Sequence, residues 1–134
     1  VGLSQSTDPA QMAQAVMEGV TFAMRDCQRV LADAGTAINR LLAVGGGSKS
    51  ALWLKMLATN LDTEIALPED GDFGGALGAA RLGLCAATGA RPADVMSMPP
   101  IKTVISPDTS LSAAYSDQYA RYRALYPAIE EARS

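Results

Sequence analysis

"LLAVGGGSKSALWLKMLATNL", residues 41–61, sets three glycines between two apolar segments. Residues 38–44 read as a short strand. The unbroken apolar run at 41–44 predicts burial on both faces, as in a parallel sheet. Residues 50–61 read as a helix that is apolar nearly all round, with Lys55, Thr59 and Asn60 as the exceptions. Such a helix is covered on more than one side. "TEIALP", residues 63–68, reads as a second strand. Strand, helix and strand make a βαβ unit, whose crossover is expected to be right-handed. Three residues without side chains between two buried elements imply that something else approaches the backbone there.

A strand, a glycine loop and a helix are the physical means of holding phosphate. Backbone N–H groups and the helix N-terminus carry partial positive charge, and glycine removes the Cβ that would block approach. The P-loop pattern G-x-x-x-x-G-K-[ST] finds its last two residues in Lys49 and Ser50. It fails at Ser48, where glycine is required, and at Ala43, the first glycine position. The dinucleotide pattern G-x-G-x-x-G fits Gly45 and Gly47 but meets Ser50 at its third glycine. It also follows the first strand of its fold, whereas here a long helix comes first. An acid after the second strand is only loosely available in Glu69 or Asp70. A tight turn with no ligand stays open as an alternative.

Outward from this unit, Asp8, Pro9 and Gln11 give a helix start with capping-box spacing. Met12, Val16, Val20, Ala23, Cys27, Val30 or Leu31, and Ala34 recur in steps of three and four, which predicts one buried face. Glu18, Arg25, Arg29 and Asp33 fall on the other, solvated side, and Gly35 ends the helix. "EDGDFGGALGAARLGLCAATGARP", residues 69–92, reads as a helix rich in small residues. Gly74, Gly75, Gly78, Ala79 and Gly83 suggest close packing against a sheet or helix, or direct approach to a ligand. Asp62, Asp70 and Asp72 read as caps and solvated charges. A connector with four prolines follows, with a short edge strand expected at 102–105. The last helix is expected at about 109–131, and Tyr115, Tyr119, Tyr122 and Tyr126 form one docking stripe along it.

Composition narrows the function. The 134 residues suit one domain, and 49% hydrophobic content is enough for a core. A net charge of −3 gives no basic field for nucleic acid or an anionic membrane. The absence of histidine excludes Ser-His-Asp and Cys-His catalysis within the chain, and His-ligated metal. Cys27 and Cys85 are expected as buried, reduced packing residues, which fits a cytoplasmic setting. No run is long enough to span a membrane, and no signal peptide is visible. The start at Val1, within a polar stretch, suggests a fragment or a mature product of something longer.

The glycine segment, followed by "EDGDFGGALGAARLG", resembles the C-terminal portion of the FGGY carbohydrate kinases, and most of all their xylulose-phosphorylating members. Those enzymes carry a Gly-Gly-Gly-x-Lys-Ser segment with tryptophan soon after. A Gly-Asp-x-Gly-x-Ala-Leu-Gly-Ala-Ala-Arg-Leu segment comes next. The opening "AVMEGVTFAMRD" and the closing "YSDQYARYRALYPAIEEA" also resemble helices of that family. The likeness covers nearly the whole chain. It implies an α/β chain forming the latter part of an actin-like, ribonuclease-H-like lobe, with helices packed on a small parallel sheet. It implies MgATP as cofactor, a sugar substrate, and nucleotide contact by Gly46 and Ser50, with Gly45 and Gly47 shaping the turn. The role of Lys49 is less defined, since a lysine at a helix start is ordinarily solvated. The resemblance puts the catalytic base and the sugar-binding residues in the opposite lobe, so no catalytic or metal-ligating residue is assigned here. It also implies an inactive fragment, with an open sheet edge that invites a homodimer or the upstream segment. The contrasting reading is a non-enzymatic α/β interaction module, in which residues 45–50 would be covered rather than open.

Overall fold

The computed structural model describes residues 2–69, 71 and 74–133. Helix α1 (Pro9–Asp33) opens with the expected capping box. The Gln11 N–H donates to Asp8 Oδ1 at 2.8 Å, and the Asp8 N–H donates to Gln11 Oε1 at 3.0 Å. Gly35, at φ 85°, takes the left-handed conformation just past the helix end. Strand β1 (Leu41–Leu42), a 3₁₀ turn (Gly46–Lys49), helix α2 (Ala51–Leu61) and strand β2 (Ile65–Pro68) follow. Helix α3 (Gly74–Thr88), the short α4 (Pro92–Val95), strand β3 (Ile101–Ile105), a 3₁₀ turn (Thr109–Leu111) and helix α5 (Ser112–Arg133) complete the order. The sheet runs β1-β2-β3. β1 and β2 are parallel, pairing Leu41 with Ile65 and Leu42 with Ala66. β3 lies antiparallel to β2, so the small sheet is mixed rather than all parallel.

The core sits around α2. Leu54, Leu57, Ala58 and Leu61 pack with Ile65 of β2, and Leu41, Ala43, Leu67 and Ile105 of the sheet close over them. The other side of α2 meets α1 and α5. Thr59 and Asn60, exceptions to the apolar pattern, are buried as well. Each makes a hydrogen bond across an element boundary, while Asn60 Oδ1 is buried without a partner among the described residues. Asn60 Nδ2 donates to Thr21 Oγ1 of α1 at 3.1 Å, and the Asp108 N–H donates to Thr59 Oγ1 at 3.0 Å. Gln28 Nε2 donates to Leu61 O at 3.0 Å and Thr63 Oγ1 at 3.1 Å. Lys55, exposed, reaches Ser106 O at 3.0 Å.

The tyrosine stripe does dock within the chain. Phe22 of α1 is buried among Tyr115, Tyr119 and Tyr122, with ring centroids 6.4, 5.9 and 5.4 Å away. Tyr119 donates to Asp26, and the Arg25 guanidinium lies 4.5 Å over its ring. Tyr126 stands apart, exposed and bonded to Glu130 at 2.8 Å.

Several expectations are corrected. The strand expected at 38–44 shrinks to two residues, and Leu42 and Val44 are exposed rather than buried. The face of α1 expected to be buried is open: Val16 is 69% exposed and Val30 68%. The side that packs carries Thr21, Phe22, Arg25 and Gln28, because α2 and α5 lie there. Cys27 is on the open face and exposed, and Cys85 is half-buried; both are free thiols. Past Gly74, which lies against Val44, the glycines of α3 meet no close neighbour among the described residues. A Cβ at Gly75, Gly78 or Gly83 would have open space around it. Asp62 is an exposed left-handed cap of α2, at φ 46°, whereas Asp70 and Asp72 lie outside the described residues.

Two outcomes test this packing. Phe22→Ala is expected to lower stability by about 3 kcal/mol in urea unfolding, from lost transfer energy and the cavity left among three rings. Burial first, and the acceptor Asp26 second, push the Tyr119 phenol above its ordinary value of 10.0, against an opposite pull from Arg29. A phenol raised on folding contributes stability that is fully present below the unfolded value and is lost as pH rises through the folded one. Urea midpoints should therefore fall on the alkaline side of pH 10.0, and fall less in Tyr119→Phe.

Candidate functional site

The fold itself accounts for two of the three glycines in the loop between β1 and α2. Gly45 has φ 83° and ψ −173°, a conformation that only glycine adopts without strain. Gly47 faces the Trp53 ring, where an added Cβ would lie 2.5 Å from Cζ3. Gly46 is under neither constraint: its φ is not positive, and a Cβ there would meet nothing within 4 Å. Gly46, Gly47 and Lys49 are exposed, while Gly45, Ser48 and Ser50 are half-buried.

The turn is held from within. The Ser48 N–H and Oγ both donate to Gly45 O, at 3.1 and 2.7 Å, and the Ser50 N–H donates to Gly47 O at 3.2 Å. Gly46 and Gly47 open the turn, where a helix start leaves its N–H groups without an internal acceptor. Ser50 caps α2, its Oγ accepting from the Trp53 N–H at 3.3 Å. Its own hydroxyl hydrogen is still available for a ligand.

The second glycine segment meets the first. The Gly45 N–H donates to Gly71 O at 2.9 Å, and a Cβ on Gly74 would touch Val44 at 3.0 Å. The fold thus joins "GGGSKS" and the start of "GDFGG" at the C-terminal ends of β1 and β2, where ligands bind in open α/β sheets. Beside the loop lies a cavity of about 460 Å³. Its lining includes the apolar Ala43, Leu54 and Leu67 and the polar Ser48, Lys49 and Glu69. Sequence reasoning missed the parts played by Trp53 and Gly71. A tryptophan six residues after a glycine carries no pattern that announces a clash, and a carbonyl acceptor has no side-chain signal at all. Among the described residues, no group of three His, Cys, Asp or Glu side chains is placed to hold a metal, and no helix is long and apolar enough to cross a membrane.

Comparison with known proteins agrees with this geometry. The FGGY family of carbohydrate kinases, C-terminal domain, matches residues 1–87. A xylulose kinase of Escherichia coli (strain K12) is 33% identical over 126 residues, which cover 93% of this chain and 26% of that protein. The crystal structure of a xyloylose kinase from Brucella ovis superposes with a TM-score of 0.86 at 53% identity, over 97% of this chain and 27% of that one. The xylulose kinase of Rhodospirillum rubrum gives a TM-score of 0.77 at 28% identity, over 98% of this chain and 27% of that one. The chain belongs to the FGGY family of carbohydrate kinases, which share the actin-like ATPase fold. It spans about a quarter of the length of these relatives.

The glycine assignments can be checked by stability alone. Gly45→Ala is expected to cost about 1–3 kcal/mol through backbone strain, and Gly47→Ala to destabilise by displacing the Trp53 ring. Gly46→Ala should stay within about 0.5 kcal/mol of the native chain, as a surface change away from any strained feature. Urea unfolding of the three variants, followed by far-UV circular dichroism, makes the comparison.

Proposed function

We propose that this chain is the nucleotide-binding part of an ATP-dependent sugar kinase acting on a ketopentose, with D-xylulose as the foremost substrate and D-xylulose 5-phosphate as product. The observation that carries the reading is Gly46. The fold explains Gly45 and Gly47 by conformation and by contact, and leaves Gly46 open to solvent with room for a ligand. In the proposed complex, the Gly46 backbone lies against the nucleotide and Ser50 donates its hydroxyl to it, while Gly45 and Gly47 fix the turn. A Cβ-free backbone allows close approach, and the leading N–H groups of the turn suit phosphate oxygens. MgATP, when bound, supplies the transferable phosphoryl group. Positioning and charge stabilisation are the protein's share of such chemistry. This chain's share is one wall of the nucleotide site; the base, the sugar contacts and the ligands of Mg²⁺ belong to other parts of a complete enzyme. Residues 1–134 are read as the latter part of the C-terminal lobe. The free Cys27 and Cys85 suit a reducing, cytoplasmic compartment.

The open apolar face of α1 favours association. Met12, Val16, Val20 and Val30 are all exposed along one side. A face of this kind marks an interaction surface, to be covered by a preceding segment of the same lobe or by a second copy. Light scattering at micromolar concentration should give a mass above that of one chain, and Val16→Glu should restore the single-chain mass.

The activity reading has a direct test. In a coupled ADP-release assay, the 134-residue chain alone should not transfer phosphate to D-xylulose. Grafted in place of the corresponding segment of the Brucella ovis protein, it should support sugar-dependent turnover. In the graft, Gly46→Val should raise KM for ATP about tenfold or more, because the added side chain holds the nucleotide away from the backbone N–H groups. Sugar-dependent turnover by the short chain, surviving a check for contaminating kinase, would overturn the division of labour stated here.

A further inference from the structure

The cavity beside the glycine loop has one cation that belongs to neither glycine segment. Lys102 lines it together with Ser48, Lys49, Glu69 and Thr103. It arrives there through an irregularity of the sheet. β2 and β3 pair Leu67 with Thr103 and then Pro68 with Ile101, so β3 advances two residues while β2 advances one. Lys102 is the extra residue, without a partner on β2. In an unbroken strand successive side chains face opposite sides, and Lys102 and Thr103 would not share a cavity. The bulge puts both on its wall. The Glu69 N–H, donating to Pro100 O at 3.0 Å, pins this end of the sheet. Because β3 is antiparallel, its first residues lie at the end of the sheet where the glycine loop lies.

Resting on the nucleotide reading above, we infer that Lys102 is a nucleotide-binding residue supplied by β3, outside residues 1–87 matched by the family model. An ammonium group is a donor only, and a nucleotide offers it phosphate and ribose oxygens. Glu69, in the same lining, is an acceptor suited to ribose hydroxyls or a base amino group. The apolar lining residues Ala43, Leu54 and Leu67 suit a flat base. Donor, acceptor and apolar lining together fit a nucleoside phosphate better than a simple anion. Lys102 therefore sets nucleotide affinity by charge, and the bulge determines that it faces the ligand.

The sole tryptophan, Trp53, sits against Gly47 and reports on the loop. Its fluorescence is titrated with ADP, up to millimolar concentration, in the native chain and in Lys102→Met, Lys102→Arg and Gly46→Val. Lys102→Met is expected to raise the ADP Kd about tenfold, with the melting midpoint unchanged. Lys102→Arg should stay within about threefold, because it keeps the charge. Added salt should weaken ADP binding to the native chain more than to Lys102→Met, which a merely structural role would not produce. A native-like Kd in Lys102→Met, alongside lost binding in Gly46→Val, overturns the role of Lys102 and leaves the nucleotide reading standing. No ADP binding by the native chain, or unchanged binding in Gly46→Val, overturns both.

Discussion

The arrangement depends on the burial of the second half of α2, Met56–Leu61, against the sheet, α1 and α5. Its apolar residues face the sheet on one side, and its far side faces α1 and α5. Thr59 Oγ1 and Asn60 Nδ2 take partners on neighbouring elements, because an unsatisfied polar group in an apolar setting costs about 1–3 kcal/mol. Their hydrogen bonds to Asp108 and Thr21 therefore fix where the last segment and α1 can sit. The N-terminal end of the same helix is the glycine turn. The best-packed element of the chain thus holds its most open loop at a set position.

That loop shows why a glycine pattern and a glycine requirement are different things. Three adjacent glycines look equivalent in sequence. In the fold, one answers to backbone conformation, one to an aromatic ring, and one to neither. The last is the informative one, because no local strain or contact accounts for it.

What could be read from the sequence follows from how local each signal is. The capping box of Asp8 and Gln11, the glycine stop at Gly35 and the βαβ unit are set by short-range chemistry, and all appear in the structure. The packed side of α1 is not short-range. Its apolar periodicity marks Val16 and Val30, yet the neighbours available within this chain lie against Phe22 and Thr21. The glycines of α3 follow the same logic, since a small-residue face records a close contact without saying whether this chain supplies the partner. The bulge at Lys102 has no sequence signature, as it depends on the register between two strands. The loop at 45–50 was legible from the glycine pattern, while its contacts with Gly71 and Trp53 needed three dimensions.

The contact between the first and last helices carries a consequence for how the chain is made. Asp26 and Tyr119 are 93 residues apart in sequence, yet they share one hydrogen bond beside Phe22. Synthesis proceeds from the N-terminus at about 5–20 residues per second. Phe22 therefore leaves the ribosome several seconds before any tyrosine able to cover it. Throughout that interval α1 has neither face fully sheltered, and its aromatic side is exposed to whatever binds nascent apolar chains. Closure of so distant a contact also places this fold among those whose folding is slowed by non-local pairing. The tyrosines that complete the core are the last part of it to be translated.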